Sequence, residues 1–319
     1  MSNATRRKFL CGSVATAALG ALGAEAGESV LTDPPAKAAP APLPMRVSVM
    51  AYSFHGLLEQ GRMDIYGFME TCKYRYNLDA ADLWNGFLKS TDEAYLKKIR
   101  DELDARELVV PNLAVDAAHV WADDTAAREK QHQNALAHLN AGRILGARFV
   151  RVDAGQCAKN TREWTDEAFD HIVKRYREYA QYAHDHGFKT GAEVHWGPEA
   201  WWPSMQKLYK AVNHPGFGIC CHISGWQGTK EEVDAADREV APWAVHTHID
   251  WDVCSGPLVE KMNNLRNAGY QGYYSVEHHS ARQEYTETAI QLAKVRAVLE
   301  SWRTGGTGVD SYHDGKGEQ

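Results

Sequence analysis

The sequence predicts an α/β fold, a closed parallel (β/α)8 barrel, and three observations carry the prediction. Eight short apolar or β-branched runs alternate with amphipathic helical segments. The alternation fills residues 45–303, about the length such a barrel occupies. The first run continues as YSFHGLLEQGR, which is not the Gly-rich phosphate turn that an open doubly wound sheet places there.

In chain order the runs are RVSVMAYSF (46–54), LDAADLW (78–84), LVVPNLAV (108–115), ARFVRVDAG (147–155), FKTGAEVHW (188–196), FGICCHISGW (217–226), WAVHTHIDW (243–251) and GYYSVEHHS (272–280). Each is short and bounded by turn or helix signals, as barrel strands are. TAAREKQHQNALAHLNAGRILGA, ahead of the fourth run, and DEAFDHIVKRYREYAQYAHDHG, ahead of the fifth, carry helical periodicity. Gly146, Gly187 and Gly216 stand before strands, where a left-handed helix cap is useful.

Residues 1–26 are expected to be a twin-arginine signal peptide, because TRRKFL (5–10) precedes the apolar run CGSVATAALGALGAEA and its Ala-x-Ala end at Ala24–Ala26. This predicts a periplasmic or otherwise exported protein, with the twin-arginine translocase as a transient partner. Cys11 lacks the small residues that precede a lipoprotein cysteine, so no lipid anchor is expected. Residues 27–44, containing DPPAKAAPAPLP, are expected to be an extended linker, and 304–319 a flexible Gly-rich tail. No other run reaches the ~18 apolar residues of a membrane span.

The net charge of −7 and the lack of any Lys/Arg stripe argue against a nucleic-acid partner. Once Cys11 leaves with the signal, Cys72, Cys157, Cys220, Cys221 and Cys254 remain. That odd set without a C-x-x-C pair suits small core residues rather than disulfides.

Chemistry is expected at the C-terminal strand ends, the active-site face of a parallel barrel. The last four runs present Glu193 and His195, then His222 and Ser224, then His246, His248 and Asp250, then Glu277 and His279. Within each run the spacing is i, i+2, which puts each set on one face. Burying two glutamates together costs several kcal/mol unless a cation or a shared proton offsets their repulsion. A divalent metal ion is the simplest offset.

Arg151 shares inward parity with Asp153, so it either holds a substrate oxygen or pairs with that aspartate. Of ten tryptophans, Trp84, Trp121, Trp196, Trp226 and Trp251 fall at or just past strand ends. There they are expected to wall a mouth that accepts the C–H faces of a neutral carbohydrate. The loops DWDVCSGPL and EHHSARQEY offer little phosphate-binding chemistry beyond Ser255, Gly256 and Arg282, so an unphosphorylated substrate is expected.

The order of these groups, after a VSVMAYSF first strand and a LGARFVRVDAG fourth, resembles the sugar phosphate isomerase/epimerase superfamily of xylose isomerase-like TIM barrels, over nearly all of residues 46–300. The resemblance implies that Glu193 (GAEVHWG) and Glu277 (YYSVEHHS) bind a divalent metal and move protons, and that His248 (VHTHIDW) is a further ligand. On strand six the family's aspartate falls at His222, and its following histidine at Gly225. His222 is either the fourth ligand or a group working on substrate. As a ligand it makes the set two glutamates and two histidines, which favours Mn, Co, Fe or Zn over Mg.

His195, His246 and His279 are placed with the substrate, beside Arg151 and the tryptophans. The expected reaction is proton abstraction next to the carbonyl of an unphosphorylated sugar through a metal-stabilised enediolate, giving isomerisation or epimerisation. The alternatives are a lyase or hydratase working by β-elimination on a keto-sugar or 3-keto-glycoside, and a carbohydrate-binding barrel without turnover.

Overall fold

The computed structural model describes residues 46–155 and 161–308. The expected signal peptide, the linker, Cys157 and most of the expected tail lie outside them. Eight strands form one parallel sheet: β1 (Val47–Val49), β2 (Leu83–Trp84), β3 (Leu113–Val115), β4 (Phe149–Val152), β5 (Lys189–Glu193), β6 (Phe217–His222), β7 (Ala244–Ile249) and β8 (Tyr274–Val276). Each strand from β2 to β7 pairs with the next, and β8 pairs with β1. A parallel bridge from Met50 to Asp82, with Ala51 N–H donating to Asp82 O at 2.9 Å, closes the barrel between β1 and β2.

Every expected run contains its strand, but the strands are shorter than the runs. The first run turns into a 3-10 helix at Ala51–Phe54. The third is interrupted by Pro111, which has no N–H to give the ladder, so Val110 pairs only through an isolated bridge to Ala147. The sixth ends at His222.

Helices α1 (His55–Glu59), α2 (Ile65–Glu70), α3 (Glu93–Ala105), α4 (Thr125–Leu145), α5 (Asp166–Asp185), α6 (Trp202–Val212), α7 (Lys230–Val240), α8 (Trp251–Ser255), α9 (Leu258–Asn267) and α10 (Glu284–Arg303) follow or connect the strands. Among the described residues, no helix is long and apolar enough to cross a membrane. Their starts are written in the sequence. Asp124 and Thr165 accept from the N–H groups of Ala127 and Ala168, and Thr229 with Glu232 forms a capping box on α7.

Gly146 ends α4 at φ 70°, the left-handed cap its position predicts. Gly216 does not cap α6. Asn213 does so at φ 43°, and Gly216 is instead a point of close approach, where a Cβ would lie 2.1 Å from the Ala180 carbonyl oxygen.

The apolar core lies between barrel and helices, with Tyr176, Phe217, Leu208, Met262 and Val295 nearly or fully buried there. Cys72, Cys220, Cys221 and Cys254 are buried free thiols. Inside the barrel the lining is polar: Ser48, Asp82, Asn112, Arg151, Glu193, His246, His248 and Ser275 are all buried. Buried polar groups of this density are stable only if they satisfy one another or a ligand. Their partners therefore define the site.

Candidate metal centre

Four side chains from the last four strands converge. Glu193 ends β5, His222 ends β6, His248 lies one residue from the end of β7, and Glu277 follows β8, with its N–H donated to Ile249 O at 2.8 Å. One ligand atom from each lies within 4.8 Å of every other. Glu193 Oε1 faces His248 Nδ1 at 2.6 Å and His222 Nδ1 at 3.3 Å. Glu277 Oε2 lies 3.5 Å from His248 Nδ1 and 3.7 Å from His222 Nδ1, and it is buried without a hydrogen-bond partner.

The electrostatics pull in consistent directions. Burial alone would raise Glu193, but His248, Arg151 and His195 outweigh it and hold the carboxyl well below the usual range. Burial would likewise lower His222 and His248, yet for His222 the Glu193 hydrogen bond and Glu277, and for His248 the groups around it, Cys220, Glu193 and Glu277, raise both above the ordinary imidazole value.

A divalent cation fits this donor set. Two carboxylates and two imidazole nitrogens already point at one small volume, and the uncommitted Glu277 Oε2 needs a partner there. Strand alternation explains the convergence, because each ligand occupies an inward position at the C-terminal end of its strand.

Arg151 stands beside the cluster and is engaged by carboxylates rather than open to substrate. Its Nη1 lies 2.8 Å from Asp153 Oδ2 and 3.0 Å from Asp116 Oδ1, and its Nε 3.0 Å from Glu193 Oε2. The Nε contact is electrostatic, since it is not aligned as a hydrogen bond. Of the two readings of Arg151, the structure shows the carboxylate pairing. The guanidinium also accounts for a second grouping, Asp153, Glu193 and His195, whose ligand atoms approach one another as closely as the first set. A cation already sits there.

Behind Asp153, Glu199 accepts from Ala154 N–H at 2.6 Å, and burial followed by the charge of Asp153 pushes its carboxyl well above the usual range. Glu199 follows β5 in a 3-10 turn, and no strand pattern pointed to it.

The expected substrate contacts divide. His195 has Nδ1 3.2 Å from Asp153 Oδ2, remains about a quarter exposed and stacks on Trp196 at 3.5 Å. His279 is half exposed at the rim, 3.6 Å from Glu277 Oε2, with its ring stacked near His222. Trp84 is partly buried, donates to Asp116 Oδ2 at 2.7 Å and meets Tyr52 edge-on. Trp251 is exposed on the first turn of α8.

His246 is a correction. Its ring is buried beneath His248, and Nε2 is bound to Asp82 Oδ2 at 2.6 Å. Trp121 and Trp226 are corrections too. Trp121 is buried under Arg128, whose guanidinium lies 3.7 Å over the ring, and Trp226 is buried with its N–H on Asp237 at 3.0 Å.

The expected alternation also fails where strands end. Ser224 takes φ 64° and turns both its N–H and its hydroxyl to Asp237. Asp250 caps α8 by accepting from Val253 N–H at 2.9 Å. Asp82 and Tyr52 escaped the sequence reading. An aspartate of inward parity inside the run LDAADLW is the signal that could have found Asp82.

A separate hollow of about 520 Å³ lies at the opposite end of the barrel, against Arg148, Lys189, Val245, Gly272 and Tyr273. It is at the N-terminal strand ends, away from the face that carries chemistry in parallel barrels.

A closed parallel barrel with a buried Glu–His–His–Glu cluster at the C-terminal strand ends defines a TIM barrel with a candidate metal site. Residues 74–300 match the family described as xylose isomerase-like TIM barrel, and the chain belongs to it. No curated protein sequence matches.

Among solved structures, an L-ribulose 3-epimerase is 13% identical with a TM-score of 0.67, covering 85% of this chain and 99% of that one. The D-psicose 3-epimerase of Clostridium cellulolyticum, solved with D-tagatose, is 15% identical with a TM-score of 0.67, covering 80% and 99%. The 3-keto-D-glucoside 4-epimerase of E. coli is 16% identical with a TM-score of 0.59, covering 73% and 94%. At these identities the likeness is one of fold.

Proposed function

We propose that this protein is a metal-dependent isomerase or epimerase that moves a proton at the carbon next to the carbonyl of an unphosphorylated sugar. The observation that carries the reading is the pair of buried glutamates, Glu193 and Glu277, gathered with His222 and His248 so that one ligand atom of each lies within 4.8 Å of the others. The solved epimerases of like fold support the substrate class. Glu193, His222, His248 and Glu277 would hold one divalent ion, with Mn, Co, Fe or Zn preferred to Mg because half of the donors are imidazole. When bound, the ion supplies Lewis-acid polarisation of the substrate carbonyl.

The protein's own groups do the rest. Glu193 is fixed in place, because Arg151 stands against Oε2 and the histidines against Oε1. Glu277 would meet the ion through Oε2, which has no partner within the protein, and its carboxylate would take the proton through the other oxygen. With a ketose bound between them, the two carboxylates would let a proton leave one face and return at the other. Return to the other face is epimerisation, and return to the neighbouring carbon is isomerisation. Half-buried Trp84, Tyr52 and Trp196 offer apolar faces beside the centre.

A 3-keto-glycoside gives a second outcome. Loss of the proton at its C2 leaves the C1 substituent β to the ketone, where it can depart and make the enzyme a lyase. The E. coli likeness keeps this substrate in view.

Proton NMR in D2O with D-fructose, D-psicose, D-tagatose, L-ribulose and a 3-keto-glucoside tests both. Deuterium at one carbon with an intact skeleton supports the first reading, and an unsaturated sugar with a released aglycone supports the second. No exchange with any of them in the Mn- or Co-loaded protein would refute both. The twin-arginine pattern adds the proposal that the enzyme acts after export. Processing after Ala26, dependent on Arg6 and Arg7, is the check.

A further inference from the structure

The metal cluster rests on a floor made by a residue from the other side of the barrel. Asp82 is fully buried at the bridge that closes β1 to β2. Its Oδ2 accepts from His246 Nε2 at 2.6 Å and from Ser275 Oγ at 2.6 Å, and its Oδ1 accepts from Asn112 Nδ2 at 2.9 Å. His248 directs Nε2 at the same Oδ2 from 3.5 Å, while its Nδ1 faces Glu193 Oε1 at 2.6 Å. The His248 Nε2 is buried without any hydrogen-bond partner. The imidazole thus stands between two carboxylates, one in the cluster and one below it.

A metal-bound histidine keeps its orientation and tautomer through the partner of its other nitrogen. Asp82 is placed to be that partner and nothing more. It groups with His246 and His248 but not with Glu193 or Glu277, so it does not reach the metal position. Protons from His246 and Ser275 occupy its Oδ2 at short range, which leaves no room for a second cation on that oxygen.

Resting on the metal reading above, we infer that Asp82 is the positioning residue of the centre: it retains the Nε2–H of His248 and so turns Nδ1 to the ion. His246, Ser275 and Asn112 aim the carboxylate. This assigns His246 a role in the site without contact to substrate or metal.

The test is titration of the metal-free full chain with Co²⁺ at one pH, followed by calorimetry and by the visible spectrum of the bound ion. Wild type is compared with Asp82→Asn, Ser275→Ala and, as a stability control, Leu96→Ala in the core face of α3. Asp82→Asn should weaken binding roughly 10–100-fold and alter the Co²⁺ spectrum, the range seen when such outer partners are removed. Ser275→Ala should lose affinity in the same direction and to a smaller extent. Leu96→Ala should lower the melting temperature and leave affinity unchanged.

Binding by Asp82→Asn within about twofold of wild type, far short of that range, overturns the inference. So does an equal loss in Leu96→Ala, which would make the effect one of stability. If Asp82→Asn does not fold, Ser275→Ala decides, and unchanged affinity there is a refutation. Wild type that binds no Co²⁺ is a different failure, that of the metal reading itself.

Discussion

Replacing Lys261 by Met should destabilise the protein through the loop that His222 enters. The ammonium is buried, 2.5 Å from Asp234 Oδ1 and 2.7 Å from Asp237 Oδ2. Asp237 in turn accepts from Ser224 N–H and Oγ and from the Trp226 indole, so it pins the chain just after β6. Methionine keeps most of the side-chain volume and removes the charge.

Breaking one partner out of a buried ion pair costs about 3–5 kcal/mol, because the other charge is left uncompensated. Asp237 would retain three neutral donors, which places the expected loss near the lower end, ~3 kcal/mol. For a domain of this size that corresponds to a fall of about 6–12 °C in melting temperature. The assay is thermal and urea unfolding of wild type, Lys261→Met and the double variant Lys261→Met/Asp237→Asn. The double variant should recover part of the loss, since it removes the stranded charge. A fall of under ~2 °C, well short of that scale, or a double variant as weak as the two losses summed, would refute the reasoning.

Other expectations follow from the same contacts. His222→Asp should shift metal preference toward Mg²⁺ while the protein still binds an ion, measured by competition between Mg²⁺ and Zn²⁺; loss of all binding with the fold intact would contradict the account. Arg151→Met should strand Asp153 and Glu193 and lower stability by about 3–5 kcal/mol in urea unfolding, and a loss under ~1 kcal/mol would show that the guanidinium is not needed there. Asp234 is held from 3.8 down to about 2 by its hydrogen bonds from Lys230 and Lys261. Its folded value is depressed, so its contribution is fully present above the unfolded value and is lost as pH falls from about 4 to about 2. Wild type should therefore weaken more than Asp234→Asn across that interval in urea titrations, and parallel curves would contradict the assignment.

The strand–helix rhythm was legible because each barrel strand is an apolar run flanked by helices with ordinary caps. Strand ends were not. A run such as RVSVMAYSF remains apolar after the ladder stops, and only tertiary pairing shows that Ala51–Phe54 coil into a 3-10 turn. The convergence of the four clustered side chains was legible for a related reason. Period two holds up to Glu193, His222 and His248, and parity stays meaningful while the chain is extended. It loses meaning at Ser224 and Asp250, where the backbone has turned and the side chains serve Asp237 and a helix N-terminus.

The tryptophans show the limit of composition. Trp121 and Trp226 occur at strand ends in sequence and still bury their rings against Arg128 and beside Asp237. Asp82 was hidden because its meaning lies in His246, 164 positions away.

The central claim is that Glu193, His222, His248 and Glu277 hold one catalytic divalent ion. Diffraction from Zn²⁺-loaded crystals at the zinc absorption edge tests it most directly. The account predicts one anomalous peak among these four side chains, about 2.0–2.2 Å from His222 and His248 nitrogens and from one oxygen of each glutamate. An empty position there, or a peak between Asp153 and His195 instead, would contradict it.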